Sequence, residues 1–182
     1  PPVFVDVMRI PRLRAIEVDA TTGVRVGAAV PAGEIYANAE IRRLWPGLAE
    51  ATDLIGSSQI QGRATWSGNL CNASPAADVV PALIACDARV VVAGPKGERR
   101  MPVAGFTTGP GQTILEQGEL VVAFEVRVPA PRCADAYLRL IPRTEMDIAV
   151  VGAAVQLTLD DAGVVTSARV ALGAVAPTVL EP

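Results

Sequence analysis

Apolar and polar positions change period several times along the chain, and each change marks an element. Phe4 to Val7 reads as a short strand that Pro11 interrupts. Residues 15–19 and 24–27 read as two strands joined by a turn at Thr21-Thr22-Gly23. From Pro31 to Asp53 apolar residues fall at helical spacing (Ile35, Ala39, then Leu44, Leu48, Ala51). Pro46 breaks the run, so it predicts two short helices. Residues 56–62, Gly-Ser-Ser-Gln-Ile-Gln-Gly, read as loop, and 65–70 as a short polar–apolar stretch around Gly68. Ser74-Pro75 predicts the start of a helix over 75–86. Ser caps free backbone N–H groups, Pro suits the first helical position, and Pro81 should bend the helix by removing one backbone bond. Strands follow at 89–93, before the turn Gly94-Pro95-Lys96-Gly97, and at 119–128. After the linker Pro129-Ala130-Pro131 come strands at 136–140, 148–159 and 164–172, the last two forming a hairpin over Asp160-Asp161-Ala162-Gly163. The order predicts an α+β architecture with a boundary near 129–133.

Composition narrows the chemistry. Hydrophobic residues make up 51% and charged residues 19% of the chain, enough to build a core and too apolar for disorder. With 16 Lys and Arg against 19 Asp and Glu, and 4% aromatics, neither a basic surface nor stacking side chains invite nucleic acid. The sequence has no histidine, which removes imidazole-based triads, dyads and metal sites. Cys71, Cys86 and Cys133 are widely spaced, so no iron–sulfur or zinc site is expected within the chain. Sparse, odd cysteines suit free thiols in a reducing, cytoplasmic setting. No run of 18 or more apolar residues predicts a membrane span, and no signal peptide is visible. The opening Pro-Pro, without Met, is expected of a processed product or a fragment.

Candidate chemistry concentrates in 55–81. Thr65-Trp66-Ser67-Gly68-Asn69 followed by Ser74-Pro75-Ala76-Ala77-Asp78 gathers small residues where a turn meets a helix start. Such places bring backbone N–H groups close to a phosphate. Asp78, one turn into the expected helix, offers a carboxylate to ligand hydroxyls. On spacing alone the same residues also read as a tight turn and an ordinary helix opening. They match neither a G-x-G-x-x-G fingerprint nor a P-loop.

The run Gln59-Ile60-Gln61-Gly62-Arg63-Ala64-Thr65-Trp66-Ser67-Gly68-Asn69, with its Pro75-x-x-Asp78 continuation, resembles the second FAD motif of the molybdenum hydroxylase flavoproteins. That family comprises carbon monoxide dehydrogenase medium subunits and xanthine dehydrogenase FAD domains. Val5-Asp6-Val7 with Ile10-Pro11-Arg12-Leu13 is similar to the family's strand entering the larger lobe, and Glu119 to Pro129 to a late flavin-side strand. Tyr137-Leu138-Arg139-Leu140, Arg143, Asp147-Ile148-Ala149 and Ala171 to Thr178 are similar to the start of its C-terminal domain. The resemblance implies a vanillyl-alcohol-oxidase-like FAD-binding fold over 1–130 and the start of a small α+β C-terminal domain over 131–182.

It also implies roles. Thr65, Ser67, Gly68 and Asn69 would lie along the FAD pyrophosphate and ribityl, with Ala64 in the same motif. Asp78 would bond FAD hydroxyls, Ile55 would pack on the cofactor, and the strand around Val122 would face the flavin ring. Arg139 stands where the family often has Lys near the ring; its other reading is a solvated strand-end charge. Arg143 and Asp147 also read as an internal salt bridge. The implied activity is electron transfer through FAD, between iron–sulfur clusters on a small partner subunit and an acceptor. The molybdenum cofactor would sit on a large partner subunit. Ala64 and Ser67 replace glycines of the family pattern, and Trp66 is unusual as a packing or cofactor-leaning residue. The family's first FAD motif lies upstream of this sequence and its helices follow Thr178, so a trimmed product is expected. The competing reading is a cofactor-free interaction or scaffold module of the same fold. A stand-alone flavin enzyme fits less well, because the elements from Tyr137 onward resemble the hydroxylase extension.

Overall fold

A computed structural model describes residues 3–144 and 146–182. Strands β1 (Ile16–Asp19) and β2 (Gly23–Gly27) form the first hairpin. Asp19 builds its turn by accepting the N–H groups of Thr21 and Thr22, each at 2.8 Å. Gly23 closes it at φ +123°, where any side chain would run into the Val126 carbonyl. Helices α1 (Ala32–Ala37), α2 (Ala39–Leu44) and α3 (Pro46–Asp53) follow. The short α4 (Ser58–Gln61), α5 (Trp66–Cys71) and α6 (Val79–Ala85) come next. The remaining chain is β3 (Arg89–Gly94), β4 (Gly97–Pro102), β5 (Thr107–Gly109), β6 (Gln112–Thr113), β7 (Leu120–Arg127), β8 (Cys133–Leu140), β9 (Val151–Leu159) and β10 (Val165–Gly173).

The first sheet is antiparallel in the order β1-β2-β7-β3-β4, and the second runs β10-β9-β8, also antiparallel. Helix α3 packs on β8, and α6 packs on β9 and β10. The large apolar core joins both sheets to the helices: Val26, Val90 and Phe124 of the first sheet, Trp66 and Leu83 of the helices, and Tyr137 and Ala171 of the second sheet. Trp66 meets Phe124 edge-on at 5.8 Å between ring centroids. A β-bulge interrupts β7, where pairing with β3 steps from Val91↔Ala123 to Val92↔Val121. The extra residue is Val122. The slip lets Val121 and Phe124 face the large core, while Val122 and Ala123 join Leu13, Ala29 and Val91 in a second, small core.

Several sequence expectations change here. Residues 4–7 form no strand: Phe4 and Val5 are exposed, and Val7–Arg9 is a 3-10 turn opened by the Asp6 side chain. Three helices fill 31–53 instead of two, because the Asn38 side chain accepts the N–H groups of Glu40 and Ile41 and starts a new helix. The loop at 56–62 contains α4. The helix expected over 75–86 begins at Val79. Pro81 is therefore its third residue, where the missing N–H costs no helical bond and no bend is needed. Asp78 stands at the N-cap of α6, not one turn inside it. The strand expected from 148 starts at Val151. Strand β4 and the β5-β6 pair add to the strands the sequence pattern predicts.

Candidate functional site

Helix α5 is started by Thr65. Its backbone is extended, and its Oγ1 accepts the Gly68 N–H at 2.9 Å. Thr65 Oγ1 also lies 2.9 Å from Ser67 Oγ, which donates to the Ala28 carbonyl at 2.5 Å. The Ala28 N–H in turn donates to the Val122 carbonyl at 3.0 Å. The turn, the segment after β2 and the β7 bulge are thus tied in one line. Ala64 keeps a negative φ, so replacing glycine by alanine there is unstrained, and its carbonyl accepts the Ala32 N–H at 2.7 Å. Gly68 is exposed, and a Cβ added to it would meet nothing but Thr65 Oγ1, at 3.2 Å.

Asn69 joins α5 to α6: its Oδ1 accepts the Val79 N–H at 3.1 Å. The adjacent Asp78 pairs through Oδ1 with Arg139 Nη1 at 2.9 Å, and the same nitrogen donates to the Leu54 carbonyl at 2.9 Å. The Arg139 side chain is 7% exposed and that of Asp78 14%, so the pair is largely desolvated. Burial pushes the Asp78 carboxyl above its ordinary range, and the bond and charge of Arg139 oppose that push. The Tyr137 phenol is raised by burial and then by Asp78. Arg139 is therefore no solvated strand-end charge. It borders a cleft of about 500 Å³ with Leu54, Gly56, Ser57, Gln59 and Thr144. A larger hollow of about 600 Å³, over Arg25, Arg89 and Glu125, contains none of the motif residues. Size alone does not locate the chemistry.

The remaining candidates fall as follows. Ile55 lies in the large core, 6% exposed. Val122 is the buried bulge residue, with its carbonyl engaged by Ala28. Trp66 is a core residue whose Nε1 donates to Thr52 Oγ1 at 2.9 Å. Arg143 and Asp147 form an ion pair at 3.1 Å. The Cys71 and Cys86 thiols are pushed up by burial, which leaves them protonated and unsuited to nucleophilic work. Two contributors had no signature in the sequence, the carbonyls of Ala28 and Leu54, because every residue type carries that group.

A phosphate-bearing, hydroxyl-rich cofactor needs free backbone donors, close approach and a free carboxylate oxygen. Gly68 gives the approach. The Ser67 N–H, the Asn69 amide N–H groups and Asp78 Oδ2 have no protein partner among the described residues. The hydroxyls of Thr65 and Ser67 are spent on shaping the turn. This set fits a dinucleotide such as FAD.

Residues 1–131 match the family model described as FAD binding domain in molybdopterin dehydrogenase. Residues 136–182 match the CO dehydrogenase flavoprotein C-terminal domain. The chain is 33% identical over 176 residues to the xanthine dehydrogenase FAD-binding subunit of Escherichia coli O157:H7, covering 96% of this chain and 60% of that one. To the carbon monoxide dehydrogenase medium chain of Hydrogenophaga pseudoflava it is 36% identical over 182 residues, covering 99% and 62%. A solved carbon monoxide dehydrogenase from Hydrogenophaga pseudoflava, lacking the Mo-pyranopterin moiety of its cofactor, superposes with a TM-score of 0.88 at 35% identity, covering 95% of this chain and 59% of that one. The chain thus spans about 60% of the length of these curated relatives.

Proposed function

The chain belongs to the family of FAD-binding domains in molybdopterin dehydrogenases, and from that premise we propose that it is the FAD-binding, electron-transferring part of a molybdenum hydroxylase. The observation that carries this reading is the Thr65–Asn69 turn. It presents bare backbone at Gly68 and is fastened by Asn69 to the helix that begins beside Asp78. In this reading the Ser67 N–H, Gly68 and the Asn69 amide hold the pyrophosphate and ribityl, with Thr65 and Ala64 shaping their turn. Asp78 Oδ2 accepts a cofactor hydroxyl. Ile55 and the strand around Val122 back the flavin side, and Arg139 stands beside Asp78 as its buried cation. When bound, FAD supplies the redox exchange itself, and the protein contributes position and electrostatics.

The proposed partners are an iron–sulfur small subunit and a large subunit with the molybdenum cofactor, in a reducing cytoplasmic setting that free thiols suit. We place the FAD-binding domain at 1–130 and the start of the C-terminal domain at 131–182. The first sheet's strands ending at Arg127, and the second sheet's beginning at Cys133, support that division.

The test is uptake of added FAD by the full-length protein, read by the visible flavin bands after gel filtration and by quenching of tryptophan fluorescence. Retained flavin is expected, and a colourless, unquenched full-length protein overturns the reading. A cofactor-free scaffold of the same fold is the second reading, favoured by the internal engagement of the Thr65 and Ser67 hydroxyls. Co-purification of the tagged full-length protein with both partner subunits tests the assembly.

A further inference from the structure

The geometry points to Arg139 as a positioning residue that acts on cofactor binding through Asp78, by fixing which carboxylate oxygen is left for the ligand. This rests on the FAD-binding reading above. One guanidinium nitrogen of Arg139, carried by β8 in the second sheet, holds two groups from elsewhere: the Leu54 carbonyl where α3 ends and Asp78 Oδ1 where α6 begins, each at 2.9 Å. Leu54 leads directly into Ile55-Gly56, and Asp78 is followed by Val79, whose N–H is held by Asn69. Both segments of the candidate site are therefore referred to a single side chain on the other sheet.

The carboxylate has two oxygens with different fates. Oδ1 is taken by Arg139, whereas Oδ2 has no protein partner among the described residues and is not sealed in as an unsatisfied buried atom. An ionised carboxylate is a pure acceptor, so Oδ2 is suited to a ligand hydroxyl. The pair is nearly shut off from water, where a carboxyl without its cation favours the neutral form and rotates freely. Arg139 opposes both changes. A buried guanidinium making fixed bonds does this better than an ammonium, which offers a point charge. Arg139 exerts this effect without touching the cofactor.

Two readouts test it. In the FAD-free chain, the carbon-13 shift of the Asp78 carboxyl is followed across the acid range in the parent, Arg139→Gln and Arg139→Lys. Arg139→Gln should raise the titration midpoint, and Arg139→Lys should return it part of the way. FAD itself is then titrated into the parent, Asp78→Asn, Arg139→Gln and the double variant. Each single change should weaken FAD roughly tenfold, the loss of one charge-assisted bond. In Arg139→Gln the affinity should also fall as the solution is acidified. In the Asp78→Asn background, Arg139→Gln should cost nothing more. An unmoved midpoint overturns the proposal, and so do additive losses, which would put Arg139 on the cofactor independently of Asp78. If the parent takes up no FAD, the functional reading fails while the carboxyl titration still decides the pair. Circular dichroism checks folding, and Arg139→Lys carries the cycle if Arg139→Gln does not fold.

Discussion

Asn69 and Val79, ten positions apart, are joined by one hydrogen bond in which the side-chain oxygen of the first accepts the backbone N–H of the second at 3.1 Å. Asn69 thereby performs for α6 the capping that Ser74 would perform in a purely local helix start. Asn69→Ala should cost about 1 kcal/mol of stability, the usual value of a lost cap, and should also weaken FAD because the amide donors disappear. Asn69→Asp keeps the cap and loses the donors. Thermal melting and FAD titration of both variants separate the two roles: Asn69→Asp should melt like the parent and still bind FAD less well.

Gly68 gives the opposite pairing of effects. Its added Cβ would meet only Thr65 Oγ1, at 3.2 Å, and it lies within a helix. Gly68→Ala should therefore leave stability within about 1 kcal/mol of the parent. FAD affinity should fall by roughly tenfold or more, about 1.4 kcal/mol, because the methyl group occupies the face a phosphate must approach. Equal FAD affinity in this variant would remove the turn from the binding site.

Trp66 reports on the core beneath that turn. Its indole N–H is buried and donates to Thr52 Oγ1, which itself donates to the Leu48 carbonyl at 2.7 Å. Thr52→Val preserves shape but leaves the indole N–H without an acceptor, at a cost of about 1–3 kcal/mol. Urea denaturation followed by tryptophan emission checks the loss.

The acid limb of the stability curve should depend on Glu119. Arg99 and then the Glu116 N–H hold its carboxyl down, from 4.5 to about 2. A folded pKa below the unfolded one contributes stability that is fully present above 4.5 and is lost as pH falls through about 2. Glu119→Gln should flatten the pH dependence of the melting temperature across that window and leave its slope near neutrality unchanged.

Legibility of the sequence followed the range of the forces involved. The hairpin at Thr21-Thr22-Gly23 was readable because Asp19, Thr21 and Gly23 settle it among themselves. Strand β4 was not, since Glu98-Arg99-Arg100 is a charged, largely exposed edge with no apolar alternation to mark it; the turn before it was the available clue. The start of α6 lies four residues beyond the local signal at Pro75 because its cap comes from another helix. At the site, the motif from Thr65 to Asn69 and Asp78 was visible as residue types. The burial of Arg139 and its hold on Leu54 depend on β8 lying against α3 and α6, a relation among elements that no local pattern encodes.

The core that passes from Phe124 through Trp66 and Leu83 to Tyr137 and Ala171 also bears on how the chain comes apart. The strands divide it into two sheets, but the side chains between them belong to both. Cooperativity should therefore ignore the linker at 129–131. The loss of secondary structure and the shift of tryptophan emission should coincide in one denaturant transition, with a slope set by the surface of the whole chain. What topology draws as two parts, unfolding should treat as a single foldon.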